Sequence, residues 1–577
     1  MSIRRSLYFV AALIPAFYIV YLINCYGVDI PSWDQWELVP LLGKMHAGTL
    51  SFADLWAQHN EHRIFFPRMI MLLLALPTSW NIIYELYVNV ILGCLIFLFI
   101  IMLSRLSGIN RPSGEPHWLP IVFSLLIFSP IQFENWLWGW QIMIFLNVSA
   151  GIAAVWSLAR WHGQWKGVIL STVWAIVTSY SFNNGLLIWL AASIMFIRKG
   201  WKGKHIALWV TAFLMTTAFY YYGYKKPSHH PSLLVFINHP YDFIGYVLAY
   251  IGGPLGSAGK EVAICIALVT GIILVSSAIF IYRSIREEFN KLLPWMALAA
   301  YAFLSAFTTG VGRVGFGVGQ ALSSRYTTIS TLFIISSIGI FVSSMGFYRK
   351  SRGRLPAMGT IVISALSALL ILSFVLSFAY GTSSMIRLGD RLRNAAPCLK
   401  NADTASEECL RIFYPNPEMV RERVRILSSQ QLSLFRNIFD KIINGTPDGM
   451  SESRSTICDG FIDVVNGISP APASLTISNT LSVDGWMAIS AKDGVVPDTV
   501  FVTLSDEKGK KIYIKARRTS RPDVKEHFKQ PRMPDPGYTA FIDVSALSGK
   551  YTLGLSRVYK GTLESCEQFN LPLFITR

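Results

Sequence analysis

The sequence predicts a polytopic α-helical membrane protein of about eleven transmembrane helices, followed by a C-terminal antiparallel β-sandwich. Three observations carry that prediction. The 577 residues are 52% hydrophobic and only 15% charged, with a mean hydropathy of +0.43, whereas soluble proteins average about 25% charge. Charge-poor runs such as Leu7–Cys25, Tyr84–Ser104 and Leu355–Tyr380 are each long enough to cross a ~30 Å hydrocarbon core. After Tyr380 such runs cease, and from about residue 458 short alternating apolar and polar runs replace them. A single globular enzyme, a disordered chain and a disulfide-rich mini-scaffold are excluded.

Further spans read as 118–132, 140–159, 167–181, 186–197, 206–223, 261–282, 292–309 and 326–346. The segment Ile64–Ser79 is apolar but short, holds Pro67, Arg68 and Pro77, and adjoins the next span almost without a loop. Charge parity decides its reading. Arg4 and Arg5 ahead of the first span place the N-terminus in the cytoplasm. If Ile64–Ser79 does not cross, the cytoplasmic loops and N-terminus hold 17 Lys and Arg, and the opposite short loops hold eight. If it does cross, the positive-inside bias reverses. The segment is therefore expected to be a juxtamembrane or re-entrant helix on the outer face. A cleavable signal peptide is not expected, because no A-x-A-like site follows the first apolar run. The formal charge of +17 then reads as orientation rather than as a nucleic-acid surface.

The chain divides into a membrane domain over 1–380, a partly helical extracytoplasmic linker over 381–457 and a β-sandwich over 458–577. In the linker, Asn416-Pro417-Glu418 has the residue types of a helix start, and Gly445 is a plausible stop. Strand-like runs are Leu475–Val483, Trp486–Ser490, Val500–Leu504, Lys511–Ala516, Thr539–Val544 and Tyr551–Leu555. Cys398, Cys409, Cys458 and Cys566 lie in this tail. Their three possible connectivities stay open, Cys398–Cys409 with Cys458–Cys566 being preferred and free thiols the alternative.

The polar residues concentrate in the loops on the outer side. The first carries Asp29, then Trp33-Asp34-Gln35-Trp36-Glu37, then His59-Asn60-Glu61-His62-Arg63. A carboxylate at the rim of an apolar wall tends toward a raised pKa, which suits a general base, so Asp34 and Asp29 are candidates. Glu37 lies one helical turn beyond Asp34 and is read as support for substrate binding. His59, Glu61, His62 and Arg63 suit recognition of a sugar or phosphate. A divalent ion such as Mg or Mn shared with Asp34 is the alternative, although the spacing is not that of a His-Glu-x-x-His site. The blander readings are helix capping for Asp29 and a solvated loop helix for the histidine cluster. The next outer turn offers Glu134, Trp138 and Gln141, with tryptophans that could stack on sugar rings or anchor the interface. In Gly310–Tyr326, Arg313 and Arg325 sit on glycine-rich backbone bordering the membrane, which suits a lipid phosphate. Its glycines do not form a dinucleotide fingerprint.

Taken together, Trp33-Asp34-Gln35-Trp36, Asn60-Glu61-His62-Arg63, Glu134-Asn135, Trp138-Gly139-Trp140-Gln141, Gly312-Arg313 and Ser324-Arg325-Tyr326 resemble the GT-C glycosyltransferases. These are multi-span enzymes that use polyprenyl-phosphate sugars. The resemblance covers about residues 5–380 and is nearest to bacterial proteins of O-antigen and surface-polysaccharide modification. It implies a hexosyltransferase of the bacterial inner membrane with a periplasmic C-terminal domain. The donor would be a hexose such as glucose on undecaprenyl phosphate, and the acceptor a glycan or glycolipid. Asp34 maps onto the family's catalytic acid, but Asp34-Gln35 stands where many members have paired acids, which leaves metal dependence open. A lipid-linked oligosaccharide flippase would instead place charges within the spans, and an O-antigen polymerase or ligase would place its long outer loop late.

Overall fold

In the computed structural model, residues 3–576 are described apart from 109–117, 227–234, 285, 354–355, 403–404, 437–439 and 448–449. Arg111 and Arg354, two of the 17 basic residues counted on the cytoplasmic side, thus lie outside the described residues. The chain is mostly helical, with several apolar helices and a C-terminal β-sheet region. It forms two compact units, one of residues 1–29 and 49–393, the other of residues 30–48 and 394–577. Residues 30–48, read from sequence as part of the first loop, thus group with the tail.

Among the described residues, six helices are long and apolar enough to cross a membrane, five of them wholly within the first unit. They are Ile82–Leu106, Gly139–Arg160, Lys260–Ser284, Leu293–Phe316, Ser324–Arg352 and Ala357–Lys400. Val10–Tyr26, Trp165–Ser179 and Asn183–Ile197 are shorter apolar helices. The helix Phe65–Thr78 has 14 residues, which at 1.5 Å each span only about 21 Å and fall short of the hydrocarbon core. Its Arg68 is buried, with Nη1 donating to the carbonyls of Leu55 and Ala57.

Burial sorts the long helices. Gly139–Arg160 is central, with 83% of its apolar window covered, whereas only 6% is covered in Ala357–Lys400. A polar staple holds the centre. Asn147 donates to the Thr178 carbonyl at 3.0 Å and accepts from the Tyr301 hydroxyl. Gly185 packs against the same carbonyl so closely that a Cβ would lie 2.0 Å from it, which only glycine permits. The 44 residues of Ala357–Lys400 amount to about 66 Å of helix, roughly twice the hydrocarbon thickness. Its later part packs on the first helix through Phe378 against Tyr18 (5.4 Å), and through Gly389 against the Tyr26 backbone.

In the second unit, Asn416 caps the helix Pro417–Ser429 by accepting from Met419 N, as the residue types predicted. The helix ends at Ser429, well before Gly445. That glycine instead takes a left-handed φ of 84° just after the strand Ile442–Asn444. A seven-stranded sheet runs in the order Ile442–Asn444, Lys511–Lys515, Thr499–Asp506, Gly549–Tyr559, Thr562–Ile575 and Glu452–Ser455, with Leu475–Ile477 also on Thr562–Ile575. A four-stranded sheet runs Gly460–Val465, Thr480–Met487, Gly537–Asp543 and Arg517–Thr519.

The expected purely antiparallel pattern is corrected, because Glu452–Ser455 and Leu475–Ile477 pair in parallel with Thr562–Ile575. The run Leu475–Val483 breaks into two strands in different sheets, and Trp486 falls in the second of them. The 14-residue strand Thr562–Ile575 is absent from the sequence reading because its polar Glu564–Gln568 stretch and Pro572 obscure the alternation. Apolar side chains of both sheets, including Val483, Ile542, Val502 and Leu553, meet in one core cluster.

Both preferred disulfides, Cys398–Cys409 and Cys458–Cys566, are formed. The second closes a loop of 108 residues. Replacing Cys458 and Cys566 by serine is expected to destabilise this unit by about 4 kcal/mol through the restored loop entropy of the unfolded chain. Thermal unfolding of the purified protein measures it, and an unchanged midpoint would remove the disulfide from the account.

Candidate functional site

The polar residues of the first unit gather where several helices end or begin. The helix Leu293–Arg313 delivers Arg313 as its last residue. Three short 3-10 turns then carry the chain to Tyr326, with Gly317 adopting a left-handed φ of 91° that a side chain would resist. The loop ahead of Phe65 brings His59 and His62 together as an antiparallel backbone pair at 2.8 Å in both directions, with Asn60 at the tight turn. This small hairpin presents Glu61.

Glu61 is the junction of the site. Its Oε1 accepts from Arg313 Nη2 at 2.6 Å and lies 3.6 Å from His62 Nε2. Burial alone would raise the Glu61 carboxyl, but His62 and Arg313 together outweigh it and hold the group well below the usual carboxylate range. His62 stacks on Phe182 at 4.4 Å and accepts from Asn183 N at its Nδ1. Arg313 also lies within electrostatic reach of Tyr326 and Tyr246. Gln320 joins those two tyrosines, accepting from the Tyr246 hydroxyl and donating to the Tyr326 hydroxyl oxygen. The Arg325 guanidinium rests 5.7 Å from the centre of the Tyr326 ring, and its Nε is buried without a hydrogen bond among the described residues.

Glu134 reaches the same turn. Its carboxylate accepts from Ser324 Oγ at 2.5 Å. Asn135 donates to Thr328 Oγ1 at 2.7 Å and to the Arg325 carbonyl at 3.2 Å. The motifs around 134 and 324, about 190 positions apart in sequence, are thereby locked together.

Other predicted residues are committed to the fold. Arg63 is 5% exposed, and it donates to the carbonyls of Tyr220, Trp56 and Tyr222, tying the hairpin to a neighbouring helix end. Asp29 accepts from Ile82 N at 2.9 Å and so caps the helix Ile82–Leu106, the blander of its two readings. Trp138 is 8% exposed and Gln141 fully covered, as are Trp136 and Trp140 within 1%. These rings pack into the core, Trp136 against Phe145 at 4.6 Å, rather than offering a face to a sugar. His59 lies edge-on to Trp140. Gln141's amide atoms make no hydrogen bond among the described residues.

Asp34 and Glu37 belong to the second unit, on the turn Trp33–Leu38. The Trp33 amide donates to the Phe413 carbonyl at 2.8 Å. Glu37 Oε2 accepts from Arg423 Nη2 at 3.1 Å, and its Oε1 lies 3.1 Å from Arg423 Nη1 as an ion pair and accepts from the Tyr414 hydroxyl at 3.4 Å. That makes Glu37 a brace. Asp34 is half-buried, and after burial itself, Glu37 and Asp34 together raise the Tyr414 hydroxyl. Among the described residues no three His, Cys, Asp or Glu side chains gather as a ligand set. Glu61 is turned to Arg313, and His59 and His62 face different rings.

Sequence reading missed Tyr246 and Gln320. Tyr246 sits in the helix Pro240–Gly252, where a tyrosine reads as an interfacial anchor, and Gln320 lies among glycines without periodicity. Comparison with family models, curated proteins and solved structures finds no match.

Replacing Glu61 by glutamine removes the anionic half of a largely buried pair and is expected to cost about 2 kcal/mol. Because the folded carboxyl titrates below its unfolded counterpart, this contribution is complete above the unfolded value of about 4.3 and fades as pH falls below it. Differential scanning of wild type and Glu61→Gln is expected to give a constant gap from pH ~5.5 to 8 that narrows at lower pH. A gap that opens only toward alkaline pH contradicts the assignment.

Proposed function

We propose that the protein is a membrane glycosyltransferase that moves a sugar from a polyprenyl-phosphate carrier to a glycan or glycolipid acceptor. In this reading about eleven helices span the membrane, the two sheets form a sandwich, and the site faces the periplasm. One observation carries it. Arg325 rests on the Tyr326 ring, Arg313 lies within electrostatic reach of the same tyrosine, and Glu61 meets Arg313 at Nη2. Guanidinium donors at the ends of apolar helices suit a phosphate whose chain is apolar.

The chemistry is the one that the family resemblance implies, with Asp34 as the base and these arginines as the grip on the leaving phosphate. Asp34 takes the proton from an acceptor hydroxyl, and the oxygen attacks the anomeric carbon from the face opposite the phosphate. The carbon–oxygen bond to the polyprenyl phosphate breaks, and its electrons remain on the phosphate, which Arg313 and Arg325 stabilise. The product is inverted at the anomeric carbon. A hexose such as glucose, carried on undecaprenyl phosphate in the bacterial inner membrane, is the sugar that the family resemblance favours.

Mass analysis of surface polysaccharide from cells carrying wild type or Asp34→Asn tests the reading. A hexose increment is expected with wild type, and a loss of about 10²–10⁴-fold in transfer with Asp34→Asn at equal expression. An increment that persists in the variant would overturn the base assignment.

A further inference from the structure

Two of the helices that build the polar cluster carry a second cluster at their opposite ends. The helix Trp165–Ser179 leads to Phe182 and Asn183, which meet His62, and the helix Gly203–Tyr221 brings up Tyr220, whose carbonyl accepts from Arg63. At 1.5 Å per residue, their 15 and 19 residues put their starts about 22 and 28 Å from that site.

Two short loops meet at those starts, 160–166 and 198–205. They hold Arg160, Lys166, Arg198, Lys199, Lys202 and Lys204, and the whole stretch 160–205 contains no Asp or Glu. Five of these cations are exposed and Arg198 is half-buried. None of the six makes an ion pair among the described residues.

The loops interlock. His162 Nε2 donates to the Lys199 carbonyl at 2.9 Å, and Gly200 comes so close that a Cβ would stand 3.0 Å from the same nitrogen. His205 is buried with its ring edge-on to Trp165 at 4.6 Å and to Trp201 at 5.7 Å. Three cations lie over indole faces: Arg160 and Lys166 over Trp161 at 5.8 and 4.6 Å, and Lys204 over Trp165 at 5.3 Å. A ring face steadies a cation without neutralising it. From this end an exposed apolar stripe runs along each helix, Ile169 and Val173 on one, Ile206, Val210 and Leu214 on the other, at the four-residue spacing of a single helix face.

We propose that this end of the helical unit is a binding site for the headgroup of an anionic phospholipid. Its phosphate lies among the unpaired cations, the indoles lie at the level of the headgroup, and the acyl chains follow the two stripes. Charge bias across a membrane asks only for cations near the end of a span; it does not ask that two loops lock together and seat those cations on rings. A soluble polyanion would use the same charges and leave the stripes that continue from them without a role.

Native mass spectrometry of the full-length protein in detergent tests this, with cardiolipin, phosphatidylglycerol, phosphatidylethanolamine and inorganic phosphate as probes. The two anionic lipids are expected to bind at least ~10-fold more tightly than phosphatidylethanolamine, and to weaken as salt is raised. Lys166→Gln combined with Lys204→Gln is expected to cost ~10-fold or more in affinity for them, while the corresponding double change to arginine retains it. Lys225→Gln combined with Lys226→Gln removes as much charge beyond the other end of the helix Gly203–Tyr221 and is expected to leave binding unchanged. An equal loss from both glutamine pairs, no loss from the first, or equal retention of phosphatidylethanolamine would overturn the site. Inorganic phosphate binding as tightly as the lipids would overturn the lipid as occupant. No arm reads sugar transfer, so the inference stands or falls apart from the transferase reading.

Discussion

The polar end of the first unit depends on one ion pair, that of Glu61 with Arg313. A guanidinium at the end of an apolar helical unit is costly unless an anion meets it, and a carboxylate there is costly for the same reason. Each solves the other's problem at 2.6 Å, with His62 as a second neighbour of the acid. The pair also joins the hairpin ahead of Phe65 to the last turn of a helix some 250 residues later. Arg63 secures that hairpin from behind by three carbonyl contacts, so Glu61 is presented on a braced support.

This arrangement divides labour between neighbouring charges. Arg63 is spent on backbone carbonyls and acts as a bracket, whereas Arg313 meets the Glu61 carboxylate at Nη2. Arg325 lies over a tyrosine ring with a buried Nε lacking a hydrogen bond among the described residues. A guanidinium held in place but not saturated is suited to gripping a phosphate, which supports the proposed donor site. Glu61 is paired with Arg313, and Asp34 sits on the turn Trp33–Leu38 of the other unit.

Much of the helical part was legible because apolar length is a strong signal, as in Ile82–Leu106 or Ala357–Lys400. The short helix Phe65–Thr78 was legible through its prolines and length. The cysteine pairs were legible from their positions in the tail. The strand Thr562–Ile575 was not, because its pairing partners outweigh a polar stretch and a proline that argue locally against a strand. Within the site, charged loop residues stood out, but their roles did not. Whether an arginine is spent on backbone carbonyls or meets a carboxylate depends on what the fold brings near it, as Arg63 against Arg313 shows, and spacing does not encode that. Trp138 and Gln141 drew attention as polar or aromatic residues near a turn, yet tertiary packing covers both.

The central claim is that Arg313, held by Glu61, grips a lipid phosphate. The most direct measurement is retention of undecaprenyl phosphate by purified wild type and Arg313→Gln in detergent, read by native mass spectrometry. The account predicts that wild type retains the lipid and that Arg313→Gln loses about 10-fold or more in affinity, as expected for losing a charge-assisted contact. Equal retention by a folded Arg313→Gln protein would contradict it.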